Sequence, residues 1–315
     1  LEDLAIYDIE RRAEGILSAT AKSASWSEKE GHFKSLRKNA FQFRDMAAYH
    51  ADRSHLMFPL IPKPDSEKIG KMVGAYYCEQ AEEYDNLDQS YATRQAYIER
   101  INSIVAESLA QLSEVDEVVH IASGTGRRAL EIRDQVGGDY KIMGIDISAK
   151  MCEVAAAKDI QLVNAGWIEV QLSSEKQFCG AVWLYAFGHL SSRSVRLQAL
   201  KKINRHLKIG APLLMDVFNV HNKNEWGPSA LKAFHSKGLG RYGYEEGDVF
   251  YKRTNGRQIA FLHYFSQEEI IGLLEESGFV LDRMWNIAYA VDSGQLKENP
   301  SEGFFMIRAL KDRVV

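Results

Sequence analysis

Glu117-Val-Val-His-Ile-Ala122 is a short β-rich run, Ser123-Gly-Thr-Gly126 a glycine turn, and Arg127–Gln135 a helical stretch. That strand–turn–helix sets the pattern for the middle of the chain. Lys141-Ile-Met-Gly-Ile-Asp146 repeats the strand, Ala149–Lys158 the helix, and Ile160–Val163 adds a third strand. Ala181–Phe187, the helix Ser194–Leu207 and the strand Ala211–Phe218 continue the alternation. Strands alternating with helices of this length predict an α/β fold, a parallel sheet with helices on both faces. The strands are apolar without strict alternation, as strands buried on both sides are.

Working outward, residues 221–262 break the alternation and are rich in Gly, Asn, Lys and aromatics. Asp248–Lys252 and Gln258–His263 flank Thr-Asn-Gly and read as a β-hairpin. The helix Gln267–Ser277 stops at Gly278, and Phe279–Asp282, Ala288–Val291 and Phe304–Ala309 suit closing strands. On the other side, Gly74–Gln111 looks helical throughout. Residues 58–65 hold three of the chain's 6 prolines, which block helix propagation and favour an extended connector. Before them Leu4, Ile6, Ile9, Ala13 and Ile16 recur at helical spacing, and Glu28–His50 suggests a second, charged helix. The expected organisation is a helical N-terminal extension over 1–70, a Rossmann-like core over 71–220, an inserted cap over 221–262 and the C-terminal part of the core sheet over 263–315.

The 315 residues are 45 % hydrophobic and 26 % charged, which excludes long disorder, collagen and coiled-coil arrays. Lys plus Arg number 39 against 43 Asp plus Glu, a net charge of −4 that argues against a dedicated nucleic-acid binder. Lys34, Lys38 and Arg44 are diluted by Glu28, Glu30 and Asp45. Cys78, Cys152 and Cys179 form no CxxC pair, and no His/Cys/Asp cluster stands at metal-ligand spacing. Neither a disulfide framework nor a metal site is expected. No apolar run approaches the ~18–20 residues of a membrane span, and the acidic N-terminus lacks a signal-peptide core. The expectation is a cytoplasmic protein with no membrane partner.

Glycines after a parallel strand let a ligand approach the backbone, and the next helix offers free N–H groups at its positive end. A tight turn packed on glycines would read the same in this stretch alone. At the tip of the next strand, however, stands Asp146, placed to accept from two ribose hydroxyls. A nucleoside-containing cofactor across the strand ends is therefore the stronger reading. The structural alternative for Asp146 is the N-cap of the following helix, a position Ser148 suits better.

Taken in order, these motifs resemble the class I S-adenosylmethionine-dependent methyltransferases, particularly the small-molecule type. His120-Ile-Ala-Ser-Gly-Thr-Gly126 is similar to their nucleotide loop and Gly144-Ile-Asp-Ile-Ser148 to their ribose strand. Tyr77-Cys-Glu-Gln-Ala-Glu-Glu-Tyr-Asp85 resembles their N-terminal helix, and Trp183-Leu-Tyr-Ala-Phe-Gly-His-Leu190 the strand after the cofactor. Arg205-His-Leu-Lys-Ile-Gly-Ala211 and Tyr264–Phe279 resemble two later motifs, so the likeness spans about residues 71–310. It implies a seven-stranded, mostly parallel sheet with one antiparallel strand near the C-terminus. It also implies S-adenosylmethionine as cofactor, S-adenosylhomocysteine as product, and methyl transfer to an O or N atom of a small molecule without a metal. The cofactor-binding residues it implies are Tyr77, Tyr84, Ala122, Ser123, Gly124, Gly126, Asp146, Ile147, Met151, Asn164, Ala165, Gly166, Trp167 and Tyr185.

The chain departs from that pattern at four places. His120 replaces the loop acid, Ala122 the first loop glycine, and Phe178-Cys179 the usual F-D. Gly166 falls where an acid usually holds the adenine amine, with Asn164 nearby as a substitute. These departures motivate an alternative, a protein that binds the cofactor without transferring its methyl group.

Tyr77 and Tyr84 lie on one helical face, one read as a core aromatic and one as reaching the cofactor's methionine end. Trp167 suits adenine stacking and core filling equally. His189, just past the strand that would run by the sulfonium, is the first candidate base, and His221, opening the insertion, the second. A satisfied helix-start histidine is the structural alternative for His189. His263 and Tyr264 would face the cavity from the cap. The acceptor cavity is expected between the N-terminal helices and residues 221–262. Their aromatics (Phe41, Phe43, Tyr49, Phe58, Trp226, Phe234, Tyr242, Tyr244, Phe250, Tyr251) suit an apolar or aromatic molecule. Assembly as a homodimer is left open.

Overall fold

A computed structural model describes residues 55–86, 92–137, 140–158, 160–253, 256–289 and 292–313. The helices expected within residues 1–50, and Phe41, Phe43 and Tyr49, lie outside the described residues. In chain order the strands are β1 (His55–Phe58), β2 (Glu117–Ile121), β3 (Lys141–Asp146), β4 (Leu162–Asn164), β5 (Gly180–Trp183), β6 (Pro212–Val217), β7 (Asp248–Arg253), β8 (Ala260–His263), β9 (Phe279–Ile287) and β10 (Phe304–Lys311). The principal helices are α1 (Ser66–Gln80), α2 (Ala92–Leu109), α3 (Arg127–Val136), α4 (Ala149–Ala156), α5 (Arg193–His206), α6 (Gly227–Lys237) and α7 (Gln267–Glu276).

Seven strands form the main sheet in the order β4-β3-β2-β5-β6-β10-β9. The first five are parallel, and β10 pairs antiparallel with both β6 and β9. This is the mostly parallel sheet with one antiparallel strand that the motifs implied. Val118 and Val119 of β2 are wholly buried, as are Leu213, Leu214 and Met215 of β6, so both faces of the central strands are covered. Side-chain caps start α4, α5 and α7. The Ser148 hydroxyl accepts from Met151 N–H at 3.2 Å, and Ser192 and Ser266 do the same for α5 and α7.

The periphery differs from expectation in several places. The stretch read as one helix is two, α1 and α2, and α1 starts earlier, at Ser66, where the Asp65 carboxylate caps Lys68 N–H at 2.8 Å. Residues 55–58, inside the segment expected to be helical, form β1, which pairs antiparallel with β7, Phe58 opposite Phe250. Of the stretch expected as a further strand, Ala288–Val291, only Ala288 and Tyr289 are among the described residues, and neither is in a strand. β9 instead runs unbroken from Phe279 to Ile287 because β10 offers it one continuous partner, with a register shift at Arg308/Ala309.

β1, β7 and β8 make a second, antiparallel sheet with a core of its own. Trp226, Tyr244, Phe250, Tyr251 and Tyr264 are buried in that core, with Phe58, Phe234 and Tyr242 packed against it. The aromatics of the insertion thus pack its own sheet, and none of them lines the cleft among the described residues.

A chain of buried charges ties this sheet to the main one. Lys63 Nζ meets Asp248 at 2.6 Å, His263 Nδ1 meets the same carboxylate at 2.7 Å, and His263 Nε2 meets Glu269 at 3.0 Å. Arg196 bridges Glu269, at 3.2 Å, and Glu245. His263 thus belongs to an ionic network and does not face a cavity. Glu245, His263 and Glu269 do come together in a group of metal-ligating type, which sequence spacing could not show, but the Arg196 guanidinium is the cation there. Burial and the Arg196 charge press the His263 pKa down, and hydrogen bonds to Asp248 and Glu269 outweigh them and hold it above its ordinary value. Burial raises Asp248 and Glu269, but the His263 hydrogen bond and charge pull both carboxyls below the usual range.

The signs follow from linkage. The carboxylates contribute stability that is present above about pH 4 and lost as pH falls through their lowered pKa values. The imidazole contributes stability that is full below about pH 6.5 and lost as pH rises through its raised pKa. His263→Gln leaves buried carboxylates with one cation fewer, so we expect a loss of about 3 kcal/mol at pH 6. The alkaline decline in urea midpoint should flatten with it. Equal stability of variant and parent at pH 6 would overturn this account of the network.

Candidate active site

The loops leaving β2, β3, β4 and β5 line an open cleft with about 830 Å³ of empty space, at the carboxyl ends of the parallel strands. Of the residues the sequence suggested, Tyr77, Tyr84, Ala122, Gly124, Asp146, Ile147, Met151, Ala165, Gly166, Trp167, Tyr185 and His189 all reach its wall. Ser123 lines a second, adjoining pocket under the glycine loop.

Asp146 organises the floor. Its Oδ2 accepts Gly124 N–H at 2.7 Å and its Oδ1 accepts Ser148 N–H at 2.8 Å, so one carboxylate fastens the loop after β2 to the loop after β3. Burial raises its pKa against the pull of those two N–H groups. Each oxygen keeps a second lone pair for a ligand hydroxyl. The helix-cap role falls to Ser148 instead.

The glycine loop is under two constraints. Gly126 lies at φ 73° as the N-cap of α3, and a Cβ there would stand 2.6 Å from Ile160 Cδ1. It lines neither pocket and holds the turn. Ala122 is at φ 53°, in the left-handed region that glycine occupies freely and alanine does not. The added methyl thus carries a backbone cost. Tyr185 is also left-handed, at φ 61°, and is held there by its N–H on Asp216 Oδ1 at 2.6 Å. Asp216 also takes the Tyr97 hydroxyl at 2.9 Å.

His189 and Tyr77 meet across the cleft wall, Nε2 to hydroxyl at 2.7 Å. His189 Nδ1 lies 2.6 Å from the Phe261 carbonyl, which can only accept, so Nδ1 carries the proton and Nε2 faces Tyr77 as an acceptor. Burial lowers the imidazole pKa to about 4, so the ring is neutral at ordinary pH. The Tyr251 hydroxyl bonds Tyr77 from the cap.

Other candidates fall elsewhere. His221 is exposed, its backbone N–H tied to Asn219 Oδ1 at 2.9 Å, and it does not line the cleft. The mouth position that recommended it is absent. Asn164 spends its amide on the carbonyls of Asp146 and Ile147, at 3.1 and 3.2 Å, closing the strand ends and not lining the cleft. Trp167 is 4 % exposed and donates its indole N–H to Ala199 O at 3.1 Å, so it belongs to the core while forming part of the wall. Sequence reasoning missed Gly70 and Val73, which share a helical face with Tyr77 and could have been found by that spacing. It also missed Glu169, whose Oε2 fills the space above Gly166, 2.1 Å from where a Cβ would stand. No spacing signal marks that residue.

Residues 118–210 match the family model of a methyltransferase domain. Among solved structures the chain is similar to 1,6-didemethyltoxoflavin-N1-methyltransferase of Burkholderia thailandensis, solved with 1,6-didemethyltoxoflavin and S-adenosylhomocysteine: 12 % identity, 84 % of this chain and 98 % of that one, TM-score 0.56. The CcbJ methyltransferase of Streptomyces caelestis gives 13 %, 76 %, 98 % and 0.54. The N-methyltransferase NodS of Bradyrhizobium japonicum, with S-adenosylhomocysteine, gives 12 %, 77 %, 99 % and 0.51. No curated protein matches the chain in sequence. The chain thus carries a methyltransferase domain over residues 118–210, on a fold similar to that of these methyltransferases.

Ala122→Gly relieves a left-handed alanine, worth about 1–2 kcal/mol, and returns about 0.4–1 kcal/mol of unfolded-chain entropy. A net gain of about 0.5–1 kcal/mol is expected in chemical denaturation. A clear loss would show that φ 53° is not strained here.

Proposed function

We propose that the protein methylates a nitrogen or oxygen of a small molecule seated beside Tyr77 and His189, nitrogen being the better fit. The observation that carries the reading is the hydrogen-bonded Tyr77–His189 pair in the wall of the cofactor cleft. S-adenosylmethionine supplies a methyl group already activated by its sulfonium. The residues present fit that cofactor. Asp146 has acceptor capacity for the ribose hydroxyls, the backbone at Ala122 and Gly124 leaves room for close approach, and Ile147 and Met151 offer apolar wall for a flat base. Ala165 and Gly166 would edge the base, and Tyr84 and Tyr185 the methionine end.

The chain's own work is then orientation and desolvation. Tyr77, its hydrogen resting on His189 Nε2 and its oxygen met by the Tyr251 hydroxyl, is a fixed polar edge against which the acceptor is held. Positioning of this kind supplies much of a rate gain when the transferred group is already reactive. A hydroxyl acceptor must also lose a proton, and an imidazole near pKa 4 is a poor base for that at neutral pH. A neutral amine needs only to be held in line. The cap sheet joins this space through Tyr251 and Phe261, which supports a division into core and acceptor-closing insertion.

Labelled S-adenosylmethionine with a panel of small amines and hydroxyl compounds tests the reading, label being expected in an amine. Tyr77→Phe and His189→Ala should each lower kcat at least tenfold while cofactor Kd moves by less than about threefold. Label that never leaves the cofactor while binding persists would favour the non-methylating alternative.

A further inference from the structure

Helix α1 lays one narrow stripe along the loop that carries His189. Ser66, Gly70, Val73 and Tyr77 recur at helical spacing, within about 60° of one another around the axis. At one end of the stripe Ser66 Oγ accepts the Ser191 hydroxyl at 2.6 Å, and at the other the Tyr77 hydroxyl meets His189 Nε2 at 2.7 Å. Gly70 stands between these two anchors and lines the cleft together with Val73, Tyr77, His189 and Leu190. A Cβ at Gly70 would meet nothing within 4 Å among the described residues. Gly74, one turn further on, differs: a Cβ there would touch Ile147 at 3.9 Å, so the helix is packed at that point. Glycine weakens a helix interior relative to alanine, and at Gly70 no contact explains that loss. What the missing side chain leaves is room in the wall of the cleft.

We propose that Gly70 sets the size of the acceptor: the space over it receives an apolar, branched or ring substituent of the amine whose nitrogen sits beside Tyr77 and His189. The inference rests on the amine reading above and adds which group the amine carries and which residue admits it. Val73, the next cleft residue along the stripe, and Leu190, the neighbour of His189, are both apolar and suit such a group. No charged side chain of α1 reaches this stretch of the wall among the described residues. Gly70 lies inside regular helix, so a larger residue enters without backbone strain and acts through its volume alone. In an apolar pocket one methylene too many costs about tenfold or more in kcat/KM.

Labelled S-adenosylmethionine with four amines of graded size (methylamine, isobutylamine, cyclohexylamine and 2-phenylethylamine) tests it in the parent, Gly70→Ala and Gly70→Leu. The parent should favour the larger amines over methylamine. Gly70→Ala should lower that preference by about threefold and Gly70→Leu by about tenfold or more, graded with the volume added. The Kd for S-adenosylhomocysteine should stay within about twofold in both variants, and the urea midpoint should not fall, because each replacement is a better helix former. If Gly70→Leu does not fold, the threefold change in Gly70→Ala decides the matter. A parent with no preference for the larger amines, or a preference that survives both replacements, overturns the role of Gly70 and leaves the amine reading standing. Weaker S-adenosylhomocysteine binding in step with added volume overturns it too, since the space would then belong to the cofactor. A parent that binds S-adenosylhomocysteine but labels none of the four overturns the amine reading and this inference together.

Discussion

The Asp146 carboxylate is the constraint on which the site depends. The loop after β2 and the loop after β3 are covalently remote, and each must leave N–H groups exposed at a strand end. One buried carboxylate satisfies Gly124 on one oxygen and Ser148 on the other. Charge-assisted bonds of this kind are stronger than neutral ones, and here they hold two loops in register with a parallel sheet. The same atoms face the cleft, so the group that closes the floor also offers the lone pairs a ribose would use. One side chain thus does what two neutral partners would otherwise have to do.

A second constraint acts from the far side. The ionic chain from Lys63 to Arg196 also reaches the backbone behind His189: Lys63 Nζ donates to Ser191 O at 2.6 Å and Arg196 to Leu190 O at 3.0 Å. Phe261, two residues before His263 on β8, supplies the carbonyl that fixes the His189 tautomer. The insertion is therefore tied to the cleft through hydrogen bonds that set the protonation geometry of the buried imidazole–phenol pair, and its aromatics serve its own packing.

The central sheet was legible in the sequence because its signals are local. Apolar runs, a glycine turn and Ser148 or Ser266 before a helix each act within a few residues, and β3 falls on the very residues expected. The site was legible where strand ends and helical faces set it, as for Asp146, Met151 and the Tyr77 face. It was not legible where partners are remote in sequence. Nothing near His189 announces Phe261, nothing near His263 announces Asp248 and Glu269 on its two nitrogens, and nothing in Glu169 tells that it overhangs Gly166. The aromatics of residues 221–262 misled for a related reason. Composition cannot tell a lining from a core, and a small second sheet needs a core of its own. The His221 assignment failed because a strand-end position was its only support, and the chain there turns outward.

The central claim is that Asp146 clasps the two loops and, with that clasp intact, receives the ribose. A crystal structure of the protein with S-adenosylhomocysteine tests it most directly. The account predicts the nucleoside across the ends of β2 and β3, both ribose hydroxyls on the Asp146 carboxylate, and the bonds from Gly124 and Ser148 retained. A ligand seated elsewhere, or a ribose bound while Asp146 turns away from Gly124, would contradict it.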